Sequence, residues 1–302
     1  MSLCLALDIG ASKLEVGLLD RHGDIWRSAG SITPGGDDPE LLFLSVTRLL
    51  DGLLSDEEEC PLALGVGSAG PVHDQSDVSP LNIPAWRGFP LRRRLEDRYG
   101  LATFVELDTK ALALAEGWKG AARGRKNYLA MVVSSGIGGG LVLDGRLVEG
   151  RTGNAGHVGH VIVEPGGRPC SCGGRGCLEA EASGWAIASI TGRPPAEASP
   201  EMIERTGRLV GEALASVANL CDLDLFVVAG SVALGFGRPF FQAAARALHD
   251  NAKQSYAWET EVLPAGLGKS APLVGAAAVA WRGLGEELLV GSLDRPLAAK
   301  EE

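Results

Sequence analysis

Three thiols fall within eight residues, as Cys170-Ser171-Cys172 followed by Cys177, with Gly173, Gly174 and Gly176 leaving room for a tight knuckle. Soft thiolates select Zn²⁺, which takes four ligands in a structural site. His157 and His160, ten to thirteen residues upstream, can complete the set. The alternatives are reduced, unliganded thiols or a redox pair.

Three further segments place small residues directly after apolar strands. Asp8-Ile9-Gly10-Ala11-Ser12-Lys13 follows the first strand, Ser134-Ser135-Gly136-Ile137-Gly138-Gly139-Gly140 a later one, and Gly230-Ser231 follows Val228-Ala229. Backbone N–H groups in such turns can approach phosphate, and a carboxylate like Asp8 can hold Mg²⁺ or its water. Taken singly, each also reads as a tight turn. The second segment lacks both P-loop spacing and the helix that follows a dinucleotide fingerprint. Together the three favour a nucleotide cleft between two domains. Asp108 ends a strand and starts a helix, the place of an N-cap but also of catalytic groups in α/β folds. Glu179, two residues past Cys177, is either positioned by the knuckle or an ordinary first-turn helix residue.

Alternating strands and helices position these groups, which predicts an α/β protein. Strands are expected at Leu3–Ile9, Leu14–Leu19, Asp24–Arg27, Leu62–Val66, Thr103–Leu107, Tyr128–Val133, Leu141–Leu143 and Leu225–Val228. Helices are expected at Pro39–Leu54, Leu91–Tyr99, Thr109–Trp118, Glu201–Cys221, Pro239–Asn251 and Pro272–Arg282. A hairpin-led pattern near residues 3–27 recurs near 128–148, which hints at two related halves.

The chain has 302 residues, and 28 basic against 38 acidic side chains leave a net charge of −10. That balance argues against a nucleic-acid partner. No apolar run approaches the ~20 residues of a membrane span, and the N-terminus lacks the cationic lead of a signal peptide. A cytoplasmic chain with reduced thiols is the expectation, and Cys4, Cys60 and Cys221 read as small buried hydrophobes. The 42 glycines, roughly twice the usual share, have no three-residue period and so exclude collagen.

From Leu5 to about Arg282 the assembled segments resemble the ROK family of bacterial sugar kinases and repressors. The match is carried by Gly136 with Gly138-Gly139-Gly140, Asp144-Gly145, Gly156, Gly159-His160 and Cys170-Ser171-Cys172-Gly173, then Gly176-Cys177-Leu178-Glu179. Weaker matches are Asp8-Ile9-Gly10 with Lys13, Gly70-Pro71, Asn82-Ile83-Pro84 with Trp86, and Glu106 with Asp108. The resemblance implies a two-domain, actin-like and hexokinase-type (ribonuclease H-like) ATPase fold with an interdomain cleft. The expected small domain is 1–109 plus a returning segment 284–302, and the large domain 110–283.

By the same resemblance the chain is an ATP-dependent kinase of a hexose, acting at the primary 6-hydroxyl, with Asp108 as general base. Asp8, Gly10, Ser12, Lys13, Ser135, Gly136 and Gly230 would lie along Mg²⁺-ATP. Asn82, Leu107, His157, His160 and Glu179 would face the sugar, while His160, Cys170, Cys172 and Cys177 would ligate zinc. A homodimer is implied as well.

The chain departs from the family pattern at three places. Leu107 stands where an Asn usually precedes the base, His157 where a Glu usually stands three residues before the zinc His, and Gly10-Ala11-Ser12 where Gly-Gly-Thr is common. Leu107 cannot replace a carboxamide, and His157 exchanges an acceptor for a group that donates or accepts. These changes point to a modified hexose, such as an amino-sugar, or a sugar-like cyclitol. The alternative is a non-catalytic sugar-binding regulator of the same family. The first strand begins at Leu3, ahead of which no DNA-binding module is expected.

Overall fold

The structure, a computed structural model of the chain, describes residues 2–10, 12–55, 60–73, 76–80 and 83–289. Two five-stranded sheets carry it. The first is built from β1 (Leu3–Ile9), β2 (Lys13–Asp20), β3 (Ile25–Ile32), β4 (Ala63–Ser68) and β7 (Ala102–Leu107), ordered β3-β2-β1-β4-β7. Between β4 and β7 lies a small hairpin of β5 (Val72–His73) and β6 (Asp77–Val78). The second sheet holds β8 (Tyr128–Val133), β9 (Ile137–Leu143), β10 (Arg146–Leu147), β11 (Leu225–Ala229) and β12 (Glu261–Pro264), ordered β10-β9-β8-β11-β12.

The two orders are the same pattern. In each sheet an antiparallel three-stranded meander is extended by two parallel strands reached through helices. The hairpin recurrence legible at residues 3–27 and 128–148 is therefore a repeat of whole sheets. This is the two-domain actin-like α/β fold that the resemblance implies. Central strands such as β1 and β11 are apolar along almost their whole length because helices cover both faces.

Nine helices occur among the described residues: α1 (Pro39–Leu54), α2 (Leu91–Tyr99), α3 (Asp108–Trp118), α4 (Leu178–Ala182), α5 (Gly184–Thr191), α6 (Pro200–Cys221), α7 (Ser231–Phe236), α8 (Arg238–Asn251) and α9 (Ala271–Gly283). Local signals set their starts. Asp38 accepts the Glu40 N–H ahead of Pro39 in α1, and Ser199 accepts the Met202 N–H ahead of Pro200 in α6. Gly207 and Gly211 of α6 face α8 so closely that a β-carbon at either would lie 2.7 Å from Ala243 or Ala247. The small residues let the two helix backbones approach.

Helix α9, within the expected large domain 110–283, packs toward both sheets: its Ala271, Ala278 and Val279 share a core with Tyr128, Ala130 and Leu225 of the second. Its Leu273, Ala276, Ala277 and Ala280 share a core with Cys4, Ala6, Leu19 and Ala63, and a β-carbon on Gly65 would collide with the Ala276 carbonyl. An Ala- and Gly-rich helix can seat this deeply because it has little side chain to hold it off. One expectation changes: Gly138-Gly139-Gly140 belong to strand β9 and not to a loop. A β-carbon on Gly140 would stand 2.8 Å from Lys110 Cα and 2.7 Å from the Thr109 carbonyl. These glycines bring α3, and with it Asp108, directly onto the second sheet.

Candidate active site

The ends of β1, β4 and β7 bring two carboxylates together. Asp8 pairs in register with Gly67 of β4, and Asp108 opens α3 immediately after β7. A β-carbon on Gly67 would stand 3.3 Å from Asp8 Oδ1 and 3.9 Å from Asp108 Cα. Glycine leaves this gap open between them. Asp108 Oδ1 accepts the Thr109 N–H at 2.7 Å, which fixes the carboxyl at the helix start.

Burial pushes the Asp108 carboxyl up to about 6. Burial, followed by the charges of Asp108 and Glu15, pushes Asp8 up to about 8, against a smaller opposing effect of Lys13. Two half-buried acids this close resist ionising together, and a divalent cation beside Asp8 would reverse that resistance.

The three small-residue turns also converge. The Gly10 N–H donates to the Lys13 carbonyl at 3.0 Å, and Thr33 Oγ1 donates to the Gly10 carbonyl at 2.7 Å, closing the first turn. Ser134 and Ser231 hydroxyls lie 2.9 Å apart, joining the turns after β8 and β11. Gly230 sits at φ +100°, where a β-carbon would strike the Val133 carbonyl, so only glycine serves there. A cavity of about 830 Å³ opens between Ser12 of the first lobe and Ser134, Ser135, Trp185 and Ser231 of the second. Lys13 itself pairs with Glu15 at 2.6 Å on the surface.

Beyond Ser135 and Gly136 a second cavity of about 1040 Å³ extends past Glu179 to Arg87 and the cysteine loop. Trp185, 74% exposed, lines both cavities. Glu179 Oε2 accepts the Ile137 N–H at 2.9 Å, so the start of α4 is tied to the second turn.

His160 Nδ1 lies 3.6 Å from Cys170 Sγ, Cys172 Sγ lies 3.7 Å from Cys177 Sγ, and all four donor atoms lie within 4.8 Å of one another. A tetrahedral Zn²⁺ with Zn–S near 2.3 Å sets its sulfurs about 3.8 Å apart, so the donor set fits the ion. His157 does not join the set. It precedes the short helical turn Val158–His160 without capping it through its side chain, its ring 6.0 Å from that of His160. Burial, then the nearby His160 and Lys110, hold His157 below the ordinary histidine value, with Glu179 opposing.

One expected sugar-facing residue falls elsewhere, and another cannot be placed among the described residues. Asn82 lies outside the described residues. Leu107 is 2% exposed and belongs to the first lobe's core with Val72 and Ile83, folded over Gly70, whose β-carbon would collide with it. Its apolar side chain turns into the lobe because Gly70 leaves the space; this corrects the expectation that it lines the sugar site.

Sequence reasoning passed over one group beside Asp108. Lys110 has no exposed surface and binds Glu106 at 3.1 Å, the Gly153 carbonyl at 2.9 Å and the Glu149 carboxylate. Arg282 of α9 completes the group, 2.5 Å from Glu149. Burial raises the Glu106 carboxyl, whereas hydrogen bonds from Lys110 and Arg282 outweigh burial and lower Glu149. A lone lysine in the otherwise apolar run Ala111-Leu112-Ala113-Leu114-Ala115 was the available signal.

The ROK family model matches residues 4–282. A glucokinase of Thermotoga maritima is 38% identical over 188 residues, 61% of this chain and 58% of that protein. The alignment thus spans less than two thirds of that relative's length. An N-acetylmannosamine kinase of Citrobacter koseri is 31% identical over 91% of this chain and 98% of its own. The crystal structure of a ROK family glucokinase from Streptomyces griseus, in complex with glucose and AMPPNP, superposes with a TM-score of 0.80 at 30% identity. It covers 93% of this chain and 100% of its own.

Proposed function

The chain belongs to the ROK family, and from that premise we propose that it transfers the γ-phosphoryl group of ATP to a hexose or modified hexose. The observation that carries this reading is Asp108, a half-buried carboxylate between the end of β7 and the start of α3, beside Asp8 across Gly67, with its acidity weakened to about 6. A base of that strength is ionised at neutral pH yet still takes a proton readily.

In the proposed reaction Asp108 accepts the proton of the sugar hydroxyl as its oxygen bonds to the γ-phosphorus and the bond to ADP breaks. Phosphoryl transfer asks the protein chiefly for positioning and charge stabilisation. The turns at Gly10, Ser12, Ser135, Gly136 and Gly230 would hold the nucleotide, and Asp8 would orient the Mg²⁺ that travels with it. His157 and Glu179 would hold sugar hydroxyls at the face opposite the nucleotide.

Zinc, which we propose for His160, Cys170, Cys172 and Cys177, would supply structural closure and no chemistry, since four protein ligands leave it no open position. Such a thiolate site suits a reducing cytoplasm. A homodimer and the absence of a nucleic-acid partner are part of the same reading, supported by family membership and the net charge of −10. Among the described residues no helix is long and apolar enough to cross a membrane.

For the acceptor we propose a modified hexose, at the 6-hydroxyl. Of the two substituted sugar-side positions only His157 supports this, since Leu107 is buried away; the similarity to an N-acetylmannosamine kinase points the same way. Coupled ADP release across glucose, N-acetylmannosamine, amino-sugars and cyclitols tests it. Best turnover on glucose sinks the modified-sugar choice, and no turnover with any acceptor leaves the regulator.

A further inference from the structure

Lys110 follows Asp108 by two residues on the first turn of α3, and none of its surface reaches solvent. A buried ammonium has lost its water, so its protons need acceptors. It finds three: Glu106 at the end of β7, 3.1 Å away, the Glu149 carboxylate, and the Gly153 carbonyl at 2.9 Å. Glu149 and Gly153 belong to the segment that runs from β10 to His157. The next residue, Asn154, crosses to the first lobe, where its Nδ2 donates to the Val72 carbonyl at 3.3 Å. Arg282 reaches Glu149 at 2.5 Å and approaches Glu106 at 3.8 Å, so two cations and two carboxylates balance.

The partners of this group share one property. They join the helix that presents Asp108, the segment that presents His157, and the helix α9 laid on the first sheet. Stability alone does not call for charge at this place, because well-packed apolar side chains often replace a buried ion pair without loss. The residues that follow Lys110 along α3 are already Ala and Leu. What an apolar residue could not do is hold a carbonyl and a carboxylate of the facing segment at fixed points.

Resting on the kinase reading above, we propose that Lys110 and Glu149 are positioning residues, which hold segment 149–157, and His157 with it, in one register against Asp108. Neither touches the reacting atoms. They set the distance between the base and the sugar-holding side of the cleft.

The test uses the full zinc-loaded chain with ATP and its best acceptor. Glu149→Gln keeps size and removes charge. It should lower kcat/KM for the sugar tenfold or more, through both kcat and sugar KM, while the KM for ATP stays within twofold. Hydrogen exchange should rise together at 108–112 and 149–157. Lys110→Met alone strands two carboxylates and endangers the fold, so Lys110→Met/Glu149→Met is made beside it. That pair should melt near the wild type yet be as impaired as Glu149→Gln. Wild-type sugar kinetics in the folded double variant overturn the proposal. So does an exchange rise confined to 149–153. If the wild-type chain phosphorylates no acceptor, the kinase reading falls, and exchange at 108–112 still decides whether the segment is coupled to Asp108.

Discussion

Glu179 Oε2 accepts the Ile137 N–H at 2.9 Å, joining the residue that follows the cysteine knuckle to the first residue of β9. One carboxylate therefore holds the phosphate-side turn from a residue two positions along the chain from Cys177. Its position depends on α4, whose start is Cys177.

Loss of the metal should reach the sugar through that bond. On the zinc proposal, the purified chain should carry one zinc, and Cys177→Ser or a chelator should remove it. Sugar KM should rise more than the KM for ATP, and the melting temperature should fall. Metal analysis with initial-rate kinetics checks this; unchanged sugar KM in a zinc-free chain would refute the link through Glu179.

Asp108→Asn should reduce kcat by about 10²–10⁴-fold, the usual worth of a general base. It should also stabilise the protein at alkaline pH. The folded carboxyl, at about 6, lies above its unfolded value, so its ionisation opposes folding. That cost is absent below the unfolded value near 3.9, grows as pH rises, and is complete above the folded value of about 6. Asn carries no such charge and should gain about 2–3 kcal/mol at pH 8, and little at pH 4. Unfolding at both pH values measures the difference; equal gains at both would contradict it.

The rate should fall below pH 6 as Asp108 takes up a proton. Asp8, pushed to about 8 in the metal-free protein, adds a second limb when Mg²⁺ is scarce. Raising Mg²⁺ should move that limb to lower pH and leave the one near 6 in place. Profiles of kcat at limiting and saturating Mg²⁺ separate the two, and a single limb that ignores Mg²⁺ would rule out the role given to Asp8.

Gly140→Ala places a methyl 2.8 Å from Ala113 Cβ and Lys110 Cα, with no flexible side-chain end to yield. Overpacking of this kind costs about 1–3 kcal/mol. Because α3 must lift from β9 to make room, kcat should fall along with stability. Gly35→Ala, which meets nothing within 4 Å, serves as the control and should alter neither.

Read along the chain, the cysteine part of the His/Cys cluster was legible because Cys170, Cys172 and Cys177 lie in one short loop, whereas spacing left His157 and His160 both open as its fourth member. The doubled hairpin and most helix ends were legible for the same reason. Caps, turn residues and apolar periods act over a few positions, and α1 and α2 fall where that pattern puts them. Asp108 could be singled out as a carboxylate at a strand end, though only its burial beside Asp8 weakens its acidity.

The tertiary structure decided what those local rules leave open. The glycine run at 138–140 looks like a phosphate loop in one dimension and is a strand thinned to admit α3. Leu107 sits next to the base in sequence yet turns into the core, because Gly70 leaves it space there. Lys110 meets Glu149, and α9 meets the first sheet, through contacts between distant segments. Spacing encodes what a few neighbouring residues can do to each other. Which distant backbone comes near enough to need a glycine, or to satisfy a buried charge, is settled only when the two lobes pack.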